Sequence, residues 1–74
     1  MFENNLYSSH RYFLFSTGTS LKGKYFNTQE EALNAMYKYC QKNDIQVEVT
    51  EDDYFGKKFS NHNGVRFYIN KVIY

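Results

Sequence analysis

The sequence predicts a single α+β domain in the order β-β-α-β-β-β, with one helix packed on a mainly antiparallel sheet of four or five strands. Three observations carry this. A capping box and an apolar stripe at helical spacing occupy residues 28–43, and segments alternating with period two lie on both sides of them. No internal repeat, low-complexity run or Pro/Gly/Ser linker divides the chain, so one domain over 1–74 is expected, with 1–8 a loosely ordered polar lead.

Taken in order, His10 to Ser16 is dense in aromatic and apolar residues, and Leu21 to Phe26 follows across Thr17-Gly18-Thr19-Ser20. This connector is of hairpin length, so the two segments read as a β-hairpin. The helix begins at Thr28, whose hydroxyl can cap the first turn while Glu31 reaches back, and Glu30 and Glu31 suit the positive end of the helix dipole. Ala32, Leu33, Met36, Tyr37 and Cys40 form its apolar stripe. Lys42 and Asn43 end it, with Asn43 able to take a left-handed cap.

Beyond the helix, Ile45 to Thr50 alternates so that Ile45, Val47 and Val49 should face it. Tyr54 to Phe59 reads as the strand that Asn63-Gly64, the strongest short hairpin signal in the chain, turns back on. Val65 to Tyr74 then alternates Val65, Phe67 and Ile69 against Arg66, Tyr68 and Asn70, and changes phase around Lys71.

Nine Lys plus Arg stand against eight Asp plus Glu, which disfavours both a dedicated non-specific nucleic-acid binder and a global acidic mimic of DNA. The opening MFENNLYSSHRY lacks a basic region followed by an apolar run, and nothing approaches the ~18 apolar residues of a membrane span, so a cytoplasmic protein is expected. A chain of 74 residues has a small core, and its single cysteine, Cys40, can form neither an internal disulfide nor a thiolate zinc site. Oligomerisation is the remaining aid to stability.

Eight Tyr and seven Phe supply much of the apolar area. One helix covers one face of a sheet, yet the first strand carries Phe13 and Phe15 on one side and Tyr12 and Leu14 on the other. A bare aromatic face exceeds what monomers usually leave exposed. A homodimer is therefore expected, with Tyr12, Phe13, Phe15 and Tyr68 as candidates for self-association.

No catalytic signature, cofactor motif or metal-ligand spacing is present, and none of these is expected. Glu51, Asp52, Asp53 and His62 match no established metal motif, and acids at a strand end serve to keep an edge from pairing with other chains. His10 and His62 with a lysine are the minimal set for a ribonuclease, a reading that two histidines at unrelated positions support weakly. Cys40 on the apolar stripe behaves as a small hydrophobe.

The stretch TEDDYFGKKF instead places aromatics among charges of both signs, as interface anchors require. Asp52, Asp53, Tyr54, Phe55, Lys57 and Lys58 are the candidate partner-binding residues. An alternative site for nucleic acid interleaves Lys22, Lys24, Tyr25, Lys57, Lys58 and Arg66 on the two hairpins.

The segment GKYFNTQEEALNAMYKYC resembles the strand-turn-helix join F-x-T-x-E-E-A of AP2-like and integrase arm-type DNA-binding domains, in which three strands precede the helix. Here a hairpin precedes it and further strands follow. In size and in its proline-free, Asn/Lys/Tyr-rich composition the chain resembles accessory proteins of bacteriophages, anti-CRISPR inhibitors among them. That resemblance implies a non-enzymatic module that blocks a functional surface of a host defence protein in the host cytoplasm. A small nucleic-acid-binding regulator is the alternative, and a small toxin-like ribonuclease the second alternative.

Overall fold

A computed structural model describes residues 11–72. The polar lead 1–8 and His10 lie outside them. The elements are β1 (Tyr12–Thr17), β2 (Lys24–Phe26), α1 (Gln29–Lys42), β3 (Glu48–Asp53), β4 (Gly56–Ser60) and β5 (Arg66–Lys71). This is the expected β-β-α-β-β-β order. The five strands form one antiparallel sheet ordered β2-β1-β5-β4-β3, so the C-terminal strand sits at the centre and ties the two hairpins together.

The helix begins as its capping box dictates. The Glu31 amide donates to Thr28 Oγ1 at 3.1 Å, and Glu31 Oε1 accepts from the Asn27 amide. At the other end Asn43 closes the helix by donating through its backbone and its side-chain amide to Tyr39 O, with φ of −106°. The left-handed residue is Asp44, at φ 57°, one place beyond the asparagine expected to adopt it. Asn43 is held in place by its side-chain bond, and the chain reverses at the next residue.

The helix lies on β1, β2 and β5. Leu14, Ala32, Met36, Cys40, Phe59, Phe67 and Ile69 form the buried core. Of the expected stripe, Ala32, Met36 and Cys40 are buried and Leu33 is half-buried, whereas Tyr37 is 52% exposed. Tyr39 packs in its stead, edge-on to Phe67 at 6.1 Å, because position 39 lies seven residues from Ala32 and shares its face.

The third strand differs most from expectation. Ile45 and Val47 pack against the core from irregular chain, and the strand starts three residues later and runs through the acids to Asp53. Val49 does not face the helix. It is 54% exposed, because the helix makes no contact with β3 and nothing on that side reaches so far across the sheet. The second strand is also shorter than expected, three residues in place of six.

Gly56 opens β4 at φ 148°, and a Cβ there would stand 2.0 Å from Ile69 O. Only glycine allows the strand to start so close to β5. At the far end of the β4–β5 hairpin, Asn61 Oδ1 accepts from the Asn63 and Val65 amides, so the asparagine side chain organises the turn that Asn63-Gly64 signals.

Candidate interaction surfaces

Two surfaces follow from this framework, the turn joining β3 to β4 and the sheet face turned away from the helix. The turn is symmetric in sequence. About Tyr54-Phe55, Asp53 pairs with Gly56, Asp52 with Lys57 and Glu51 with Lys58. Because neighbours along a strand face opposite ways, one ion pair stands on each side of the hairpin. Lys57 meets Asp52 on the helix side at 2.5 Å, and Lys58 meets Glu51 on the other at 3.2 Å.

Between these pairs the two aromatics project outward. Tyr54 is 67% and Phe55 62% exposed, the largest values among the big apolar side chains described. Their presentation is fixed by three contacts. Asp53 Oδ1 accepts from the Phe55 amide at 2.9 Å, Phe55 O accepts from the Lys71 amide at 2.8 Å, and the Lys71 ammonium lies 4.1 Å from the centre of the Tyr54 ring. The rings meet edge to face at 5.2 Å. These contacts set how the hairpin end presents two large apolar groups to a partner.

Lys71 was legible in the sequence only as a change of phase. Its role here comes from the sheet register, which brings the end of β5 beside the turn.

On the open sheet face, alternation puts Phe13 and Phe15 of β1 beside Tyr25 of β2 and Tyr68 of β5. The rings form a continuous ladder, with Tyr25 to Phe13 at 4.6 Å, Phe13 to Phe15 at 5.6 Å and Phe15 to Tyr68 at 4.7 Å. Gly23 makes room for it, since a Cβ there would meet the Phe13 ring at 2.5 Å. Phe15 and Tyr68 are within 13° of parallel, and at 4.7 Å such rings overlap face to face. Each has given one of its faces to the other.

Of the self-association candidates, Phe13, Phe15 and Tyr68 lie together on this face. Tyr12 does not, because it alternates to the helix side with Leu14 and packs against the core. The nucleic-acid set divides in the same way. Tyr25, Lys58 and Arg66 belong to the open face, whereas Lys24 and Lys57 alternate to the helix side, where Lys24 lies over the Phe26 ring at 5.6 Å. Lys22 is exposed in the connector before β2.

The remaining titratable candidates are dispersed. Glu51 and Asp52 are in ion pairs, Asp53 closes the turn, and His62 lies beyond the opposite end of β4. No group of three or more His, Cys, Asp or Glu that could hold a metal occurs among the described residues. Cys40 is buried, and desolvation raises its thiol pKa, which suppresses the thiolate. Among the described residues no helix is long and apolar enough to cross a membrane. Compared with protein-family models, curated proteins and solved structures, the chain matches none.

Proposed function

We propose that the protein is a non-enzymatic protein-binding module whose anchor is the Tyr54-Phe55 turn. The observation that carries this reading is the exposure of two large aromatics at the end of a hairpin whose backbone and side-chain contacts already hold them in place. Aromatic anchors supply most of the energy of typical interfaces, and preorganised ones lose little conformational entropy on binding. The flanking pairs Asp52–Lys57 and Glu51–Lys58 offer both signs of charge to a partner's rim, which sets register and association rate.

With the size and composition that resemble phage accessory proteins, this supports an inhibitor that covers a functional surface of a host defence protein, anti-CRISPR inhibitors being the type, and that acts in the host cytoplasm. The aromatic ladder supports self-association as a homodimer through the open face. A small nucleic-acid-binding regulator ranks below this, because Lys24 and Lys57 of its basic set lie on the helix side, away from the rings of the open face. A small ribonuclease ranks lower still, with His62 in an exposed turn beyond the end of β4, apart from Lys57 and Lys58.

Affinity enrichment from host cells, run side by side with wild type and a Tyr54→Ser/Phe55→Ser variant, tests the reading. A partner retained by wild type should bind the variant at least about thirtyfold more weakly, the effect of losing one hot spot. Equal affinity for both proteins would overturn the assignment of the turn as anchor.

A further inference from the structure

We propose that a shallow concavity on the open sheet face, between β3, β4 and β5, is a binding site for a phosphate group. It has a volume of about 250 Å³ and is lined by Thr50, Lys58, Phe59, Ser60, Arg66 and Tyr68. The register places Lys58 opposite Tyr68 and Ser60 opposite Arg66. The two cations are therefore diagonal neighbours on adjacent strands, about 7–8 Å apart at their bases.

At that spacing both long side chains can reach one anion held between them. Lys58 pairs with Glu51, but both side chains of that pair are about half exposed, and such pairs contribute little and exchange readily. No carboxylate pairs with Arg66 among the described residues. Its guanidinium is a planar fork of donors suited to an oxyanion, and it stands at the rim of a hollow with its donors uncommitted.

The floor of the hollow follows from an irregularity in β3. The register shifts between Val49 and Glu51, leaving Thr50 as the extra residue, with its hydroxyl donating to Lys58 O at 3.2 Å. A bulge of this kind bends its strand and re-aims its side chains, often beside a functional site. Ser60 and Tyr68 each add a hydroxyl able to donate. The cations and these hydroxyls stand on two adjacent strands around the hollow, and two cations with two hydroxyl donors suit the three or four oxygens and double charge of phosphate better than the two oxygens and single charge of a carboxylate.

This site shares Lys58 with the charged rim of the Tyr54-Phe55 turn, but neither aromatic of that turn lines it. Titration of the isotope-labelled protein with inorganic phosphate, followed by amide chemical shifts, tests it against sodium chloride and sodium acetate at matched ionic strength. Phosphate should give saturable shifts at Lys58, Ser60, Arg66 and Tyr68, weakened at least tenfold in Arg66→Gln and partly restored in Arg66→Lys. Lys58→Gln should weaken them as well, and the dispersion of each spectrum reports that the variant is folded.

Phenyl phosphate in a parallel titration separates the sources of the anion. Tighter binding than phosphate marks a phosphomonoester whose attached group rests on Tyr68, and equal binding marks the free ion. Shifts that follow ionic strength alone, that acetate reproduces at the same concentration, or that survive Arg66→Gln overturn the proposal.

Discussion

The two faces of the sheet are built from alternate residues of the same strands and have opposite characters. On β5, Phe67 and Ile69 are completely buried beneath the helix, while their neighbours Arg66, Tyr68 and Asn70 look the other way and none is buried. On β1, Leu14 is buried, and Phe13 and Phe15 on either side of it are only partly so. The buried face carries Leu14, Phe59, Phe67 and Ile69, which interdigitate with Ala32, Met36 and Cys40 of the helix. The open face repeats planar rings that pack on one another along the sheet. Aliphatic and mixed shapes need a second layer to be covered, whereas rings standing side by side cover part of their own area and leave edges outward. The difference separates what holds the fold from what is available to a partner.

Truncation on each face measures that separation most directly. Phe67→Ala should cost about 3–5 kcal/mol, because it empties the centre of the core between sheet and helix. For a domain of this size that is most of its stability, so the variant should be largely unfolded at 37 °C. Tyr68→Ala, one residue along on the same strand, should cost about 1–2 kcal/mol, the loss of one stacked ring and part of its area. Paired chemical denaturation curves check both, and equal costs would mean that the open face is as much a core as the helix side.

A second test acts on the backbone that both faces share. Gly56→Ala forces a Cβ against Ile69 O at a φ that side chains rarely adopt, and should destabilise by at least ~2 kcal/mol. The damage should centre on the β4–β5 pairing and the Tyr54-Phe55 turn, leaving the α1–β1 contacts protected longest. Hydrogen exchange read by residue would show equal protection in both regions if the hairpin and the helical layer unfolded as one unit.

Where local chemistry decides structure, the sequence was readable. Thr28 and Glu31 cap the helix as a capping box must, Asn63-Gly64 marks a turn, and the alternation of β1 and β5 sorts their residues correctly between faces. The β3–β4 turn was also written locally, as the symmetric run Glu51-Asp52-Asp53-Tyr54-Phe55-Gly56-Lys57-Lys58, in which each acid but Asp53 meets a lysine across the strands. That symmetry specifies a two-residue hairpin, but the apolar alternation of Ile45 to Val49 pointed to an earlier strand. Ile45 and Val47 are apolar because they flank the core, and the period came from that packing and not from a ladder. The support that Lys71 gives Tyr54 and the concavity beside Arg66 depend on which strands the sheet brings together, and no local pattern encodes that order.

The finest probe of the contrast is the single thiol on the covered face. Cys40 is buried in the core, and desolvation raises its pKa above the ordinary thiol value of 9.0. A raised pKa means that folding favours the uncharged thiol. Its contribution is therefore complete below pH 9 and is lost as the pH climbs from there through the folded value, because the unfolded chain can ionise where the folded one resists. Denaturation midpoints measured at pH 7 and pH 10 should fall further for wild type than for Cys40→Ala, which has no proton to lose at that position. The comparison between the two proteins removes the tyrosines and lysines that titrate in the same range. An equal fall in both would show that water reaches the thiol, and that the face beneath the helix is less dry than its packing implies.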